Sequence, residues 1–245
     1  MKIVWIMMIF LALKADEIYA TYEITAMQDA SLSFEIGGVI EEIFVDVGSV
    51  VKKGDLLAKL ADDELERLLE VAKNEQELAR VTYEFALREH ARQAKVKYLL
   101  DESTFDRVEE ALRRSKAQLD LARSNVALRE VQLAKSRMVA PFDGVIYAKN
   151  VERGDALSVA ASKSVLRIES AGSKKMLISF DQSYWSRVNA GDRFVFAVDG
   201  SDEKRGVVLD KIYPQADKNS RKITAEARVD GLKVGLFGDG FIEVK

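Results

Sequence analysis

The chemistry-bearing residues of this sequence are few and scattered. His90 is the single histidine and there is no cysteine, so no thiolate or multi-histidine metal site can be assembled. A lone imidazole without a second His or a Cys partner reads as a seam or surface residue. The sequence contains no glycine-rich phosphate loop, nucleophile elbow or paired-histidine motif. Carboxylates are abundant, but the runs Asp62-Asp63-Glu64 and Glu109-Glu110 fall in stretches that read as helix, where they serve solvated faces. No catalytic, metal or cofactor-binding residue is predicted.

The elements around those residues are better defined. The 245 residues carry a net charge of −3, which argues against general nucleic-acid binding. Lacking cysteine, the chain has no disulfide framework and no N-terminal Cys for a lipid anchor. Lys2 precedes an apolar run, Ile3 to Leu13, too short for a spanning helix of about 20 residues. It fits the core of a secretory signal, expected over 1–20 with Ala20 or Ala15 as the cleavage point.

Three textures follow. From Thr21 to Leu60, β-formers such as Val39, Ile40, Ile43 and Val45 alternate with turn glycines. From Ala61 to Arg137 there is neither Gly nor Pro, and strong helix formers dominate. From Met138 onward β-texture returns. The middle stretch has two heptad seams. One runs Leu65, Leu69, Ala72, Gln76, Ala79, Tyr83, Ala86, His90, Gln93, Lys97, Leu100. The other runs Val108, Leu112, Ser115, Leu119, Ala122, Val126, Arg129, Leu133, Ser136. Alternating steps of four and three wind two helices together. The spacing predicts an antiparallel coiled-coil hairpin over 62–137, with a break near Asp101–Thr104 and Ser103 or Thr104 capping the second helix. Arms of roughly 35 residues would reach about 50 Å. Polar seam residues (His90, Gln93, Lys97) gather at the far end, where packing is weakest.

The flanking β-segments resemble each other. Gly38-Val39-Ile40 leads to Val47-Gly48 and Lys53-Gly54-Asp55-Leu56-Leu57, and Gly144-Val145-Ile146 leads to Val151-Glu152-Arg153-Gly154-Asp155-Ala156-Leu157. The glycines suit turns that need positive φ, and the aspartate can bond the turn backbone. Two such halves predict a small flattened β-sandwich from which the hairpin emerges.

On these residues, and on the string Ala140-Pro141-Phe142-Asp143-Gly144-Val145-Ile146 after a long Ala/Leu/Gln helix, the chain resembles the HlyD-like membrane fusion proteins, specifically the adaptors of resistance-nodulation-division efflux pumps. Val188-Asn189-Ala190-Gly191-Asp192, Gly206 through Pro214 with Asp217 and Ser220-Arg221, and Leu232 through Phe237 are similar to the turn, central strands and closing strand of that family's β-barrel. The resemblance implies a mixed α and β modular fold: a β-barrel (21–33 and 169–245), a biotinyl/lipoyl-like sandwich (34–61 and 138–168), and the helical hairpin inserted between the lipoyl halves. Gly38, Gly48, Gly54, Pro141, Gly144 and Gly154 would serve its turns and packing.

The resemblance also implies a non-enzymatic periplasmic adaptor associated with the inner membrane, working without a cofactor. Its partners would be an inner-membrane transporter, RND-type favoured, and an outer-membrane TolC-like channel, with identical chains forming a ring. Channel-docking hairpins of the family carry an Arg, a Leu four residues on and a Ser eleven residues on. Arg92, Val96 and Ser103 have that spacing, with Val in place of Leu, and Lys97, Leu99 and Leu100 complete the expected tip. The sequence runs to Lys245, just past the barrel, so the membrane-proximal domain of larger relatives is expected to be absent or reduced. True carriers present one modified lysine at a turn between their halves. Here the hairpin occupies that junction, and Lys52 and Lys53 precede an ordinary turn. No Met- or His-rich segment points to metal cargo, which favours hydrophobic toxic compounds over metals, while the modest hairpin and the barrel motifs favour an RND over an ABC-type partner.

Overall fold

A computed structural model describes residues 16–99, 101–158, 164–198 and 203–244. The first strands are β1 (Asp16–Ala26), β2 (Asp29–Leu32), β3 (Gly38–Ile43), β4 (Val50–Val51) and β5 (Leu56–Leu60). Helix α1 (Asp63–Lys95), a 3₁₀ turn (Lys97–Leu99) and helix α2 (Glu102–Ala134) follow. Then come β6 (Arg137–Val139), β7 (Gly144–Lys149), β8 (Ala156–Leu157), β9 (Leu166–Ser170) and β10 (Lys174–Asp181). The chain closes with β11 (Arg193–Ala197), β12 (Lys204–Val208), β13 (Lys211–Ile212), β14 (Lys222–Val229) and β15 (Phe237–Val244). Two compact units result, Met1–Asp29 with Glu169–Lys245, and Ala30–Ile168.

The first unit is a seven-stranded antiparallel sheet in the order β12-β11-β15-β1-β10-β14-β13. Its edge strand β12 comes back against β14, so the sheet wraps one core. Strand β1 lies at the centre because its alternate residues Ile18, Ala20, Tyr22, Ile24 and Ala26 are all apolar and buried. The Tyr22 ring meets Phe194 and Phe196 edge-on at 6.0 and 5.0 Å, and its hydroxyl donates to the Ala197 carbonyl at 2.9 Å. Residues 16–20, assigned from sequence to the leader, are thus the first half of a buried strand, while the apolar run lies outside the described residues. The alternation of Ile18 and Ala20 with polar neighbours was masked by that run. Leu232–Leu236 and Asp217–Arg221, read as strand segments, are turns. In the second of these, the Asp217 carboxylate accepts from the Asn219 and Ser220 amides.

The second unit carries two four-stranded sheets, β2-β9-β7-β4 and β6-β5-β3-β8. They enclose Ile40, Leu57, Leu60, Ile146, Leu166 and Ile168, each 1% exposed or less. The two repeated halves are interlocked: Gly38↔Leu157 and Val39↔Ala156 join one crossing, Val50↔Val145 and Val51↔Gly144 the other. Residues 30–33, assigned from sequence to the barrel, group with this unit, because β2 pairs with β9 and the Leu32 carbonyl accepts from the Val165 amide at 2.8 Å.

One turn recurs three times, at Lys52–Asp55, Glu152–Asp155 and Asn189–Asp192. The glycine before each aspartate has φ of +90° (Gly54), +91° (Gly154) or +97° (Gly191). Each aspartate carboxylate accepts from the amide three residues earlier, at 2.8, 3.0 and 2.8 Å. The positive φ is what only glycine adopts without strain. Gly48, at φ +91°, is a fourth such turn, closed by the Ser49 hydroxyl instead. Gly38 and Gly144, read as strand starts and as turn glycines, do begin β3 and β7, and neither has a positive φ. A Cβ on Gly38 would sit 3.3 Å from Leu60, and Gly144 is buried opposite Val51.

Helices α1 and α2, 33 residues each, are about 50 Å long. Contacts from Asp62–Ser136 through Glu75–Asn125 to His90–Phe105 show them running antiparallel. In α1 and α2 the seam residues from Leu65 to Gln93 and from Val108 to Leu133 are all buried or half-buried, and Ser136, just past α2, is buried as well. No helix among the described residues is long and apolar enough to cross a membrane.

Candidate docking hairpin and its anchor

The base of the hairpin is a buried ionic knot. Asp62, the residue before α1, is 1% exposed. Its Oδ1 pairs with the Lys59 ammonium at 2.9 Å, and its Oδ2 accepts from the Ser136 hydroxyl at 3.3 Å. Arg137 lies 3.7 Å from the same carboxylate, and Lys59 also reaches Glu41 at 3.0 Å. These residues belong to β3, β5, β6 and both helix ends, so one carboxylate ties the hairpin to its platform. Hydrogen bonding to Asp62 and then to Glu41 holds the Lys59 pKa well above the usual lysine range. Asp62 therefore departs from the solvated role read for its run. Its position seven residues before Leu69 is the heptad signal that places it in the seam.

The tip is built differently. Helix α1 ends at Lys95, and Val96 caps it, its amide donating to the Gln93 carbonyl at 3.1 Å. The cap of α2 is Asp101, not Ser103 or Thr104. Its carboxylate accepts from the Thr104 amide at 2.7 Å and from the Ser103 and Thr104 hydroxyls at 3.0 Å each. A carboxylate takes all three donors at once, which a hydroxyl cannot. The Thr104 hydroxyl and amide, then Ser103, hold the Asp101 carboxyl below the usual range. The break consequently falls over Val96–Asp101, just before the predicted one.

Beneath it, Phe105 is buried, its ring tilted 44° against His90 with centroids 5.5 Å apart and covered by the Lys97 ammonium at 4.2 Å. Phe105 lies three residues before Val108, so the second seam extends one step further than its first predicted member. Lys97 is exposed rather than in the seam. Arg92 is exposed and paired with Glu89, Val96 is 38% exposed, and Ser103 is exposed. Leu99 ends the 3₁₀ turn, and Leu100 lies outside the described residues. Tyr98, 82% exposed, was missed; nothing in the heptad pattern marks a residue beyond the helix end.

In the platform, Pro141 is exposed beside Asp143, whose carboxylate accepts from the Lys53 amide at 2.7 Å. The Gly54 amide donates to the Ala140 carbonyl at 2.8 Å. Lys52 and Lys53 thus frame an ordinary turn.

A platform of interlocked β halves carrying a long helical hairpin defines the class of membrane fusion adaptors. The chain belongs to the family with a CzcB-like barrel-sandwich hybrid domain, whose model matches residues 28–169. It is 28% identical over 203 residues to the cobalt-zinc-cadmium resistance protein CzcB of Cupriavidus metallidurans, covering 79% of this chain and 37% of that one. It is 24% identical over 237 residues to the multidrug resistance protein MdtA of Photorhabdus laumondii, covering 91% and 58%. The chain therefore spans only about half the length of the curated relatives it matches, or less. The membrane fusion protein Spr0693 of Streptococcus pneumoniae shares the fold, with a TM-score of 0.73 at 16% identity over 93% of this chain and 98% of that one.

Proposed function

We propose that the chain is a periplasmic adaptor, associated with the inner membrane, that couples a transporter there to a TolC-like outer-membrane channel for export of small toxic compounds. The observation that carries this reading is the hairpin: about 50 Å of helix fixed at one end by the buried Asp62 knot and exposing Arg92, Val96, Tyr98 and Ser103 at the other. The role is connective. Gly38, Gly48, Gly54, Pro141, Gly144 and Gly154 maintain the platform, copies assemble into a ring, and the tip meets the channel helix to helix. An RND-type transporter is the favoured partner and hydrophobic compounds the favoured cargo. Cleavage of the leader belongs at Ala15, which leaves β1 whole, rather than at Ala20, which removes its buried first half.

A second reading keeps the adaptor and changes the cargo to metal ions, because both the matching family model and one relative are named for CzcB. Growth of a strain lacking the gene, across dyes, detergents, antibiotics and metal salts, separates the two. Sensitivity to several unrelated hydrophobic compounds, restored by the intact gene, supports the first reading; sensitivity to metal salts alone supports the second. No sensitivity in a strain without a redundant pump overturns both, and a lipoyl or biotinyl mass adduct on purified protein would replace them with a carrier.

A further inference from the structure

Three aromatic side chains and two carboxylates share the outer face of the barrel sheet. Side chains alternate across a strand, so with Ile18, Ala20, Tyr22 and Ile24 buried, Tyr19, Thr21 and Glu23 of β1 face outward. On β15 the outward set is Phe237, Asp239 and Phe241. The register sets Tyr19 opposite Phe241, Thr21 opposite Asp239 and Glu23 opposite Phe237. Phe237 is 74% exposed, Tyr19 56% and Phe241 43%, and the Tyr19 and Phe241 rings meet edge-on at 6.0 Å. The inward positions between the outward ones on β15 are glycines. A Cβ on Gly238 would sit 3.0 Å from the Tyr22 ring, and one on Gly240 would sit 2.8 Å from the Phe194 ring. That close approach presses β15 onto the core aromatics and holds the outward row in place. Tyr19, Glu23, Phe237 and Asp239 border an open hollow of about 550 Å³.

Charge decides what such a face accepts. Among the described residues, neither the Glu23 nor the Asp239 carboxylate has an ion pair or a side-chain hydrogen bond. They stand diagonally across the β1–β15 ladder, roughly 7 Å apart, with Phe237 opposite the one and two residues from the other. The Lys222 ammonium, which donates to the Thr21 hydroxyl at 3.3 Å, lies beside the hollow, and the two carboxylates outweigh it. Exposed rings interleaved with such carboxylates suit a planar, weakly hydrated cation. A guanidinium stacks on a ring while its N–H groups fork to a carboxylate. A compact, strongly hydrated ammonium gains less from the rings, and an anionic lipid surface is repelled. We propose that this face binds an arginine-bearing segment of another protein, with the guanidinium against Phe237 and between Glu23 and Asp239. The adaptor reading assigns no residue of this face, so the inference stands apart from it.

The test titrates the full chain into a fluorescein-labelled peptide of alternating glycine and arginine, followed by fluorescence anisotropy. The same peptide with lysine or with citrulline in place of arginine is run beside it. The arginine peptide should bind most tightly, the lysine peptide several-fold more weakly and the citrulline peptide not measurably. E23Q with D239N should raise the dissociation constant about tenfold or more, and F237A about fivefold. K222Q, which removes the competing ammonium, should tighten binding. E64Q with E130Q, an equal charge change at exposed hairpin positions, should leave it unchanged. Circular dichroism confirms that each variant is folded. Equal losses in the two carboxylate pairs, or equal affinity for the arginine and lysine peptides with F237A unchanged, would reduce the binding to general charge and overturn the proposal. So would a folded chain that binds none of the three peptides. Sedimentation of the chain with phosphatidylglycerol vesicles, lost in F237A, would overturn it in favour of a membrane surface.

Discussion

The two ends of the hairpin are held by opposite means. At the base, Lys59, Ser136 and Arg137, from both sides of the hairpin, converge on the buried Asp62 carboxylate, and Glu41 pairs with Lys59. At the tip, the contacts that close the turn lie within a few residues, Asp101 with Ser103 and Thr104, and among the described residues the His90–Phe105–Lys97 cluster links its two sides. A site fixed by many long-range partners tolerates little change. A site fixed by its own cap can vary its exposed residues without disturbing the fold. That difference suits the proposed role, in which the base stays rigid on its platform while the tip is matched to a partner.

The comparison breaks most visibly in the platform. Gly154→Val forces a β-branched side chain to φ near +90° in the turn whose amide bonds the Ile40 carbonyl, and should cost about 1–3 kcal/mol, read as a lowered urea midpoint. At the base, Ser136→Ala leaves buried Asp62 without its hydroxyl donor and should cost about 1–2 kcal/mol.

At the tip the effect is smaller and depends on pH. The folded pKa of Asp101 is depressed, so its stabilisation is complete above the unfolded value near 4 and is lost as pH falls through the folded value. Asp101→Asn should therefore lower the melting temperature slightly at pH 7, and the gap to the parent chain should close in acid. Smallest in stability is Arg92→Ala with Val96→Ala and Ser103→Ala, all at exposed positions, which should fall within about 0.5 kcal/mol of the parent. The same triple change should abolish export, scored by growth on the compounds to which the deletion strain is sensitive.

How much of this was legible in the sequence differs with the kind of contact. The seams were readable nearly to the residue because a heptad repeats a local geometry along one helix. The Gly-Asp turns were readable because a positive φ and a carboxylate three residues from an amide leave a four-residue signature. Gly38 and Gly144 were legible as strand starts, but their role in close packing is one that no local pattern records. Asp62 was read as solvated because its partners Lys59, Ser136 and Arg137 converge on it only once the hairpin has closed. The start of β1 was hidden where an alternating strand abuts a continuous apolar run. Tip residues beyond the helix ends, Tyr98 above all, carry no periodicity at all.

The most direct test of the tip-and-base account uses the absence of native cysteine. A single cysteine at Ser103, and separately one at Glu66 beside the base, would carry a cleavable cross-linker in living cells, with captured partners identified by mass spectrometry. The account predicts that the tip position captures an outer-membrane channel protein and the base position does not. Capture of the channel equally from both positions, or from the base alone, would contradict it.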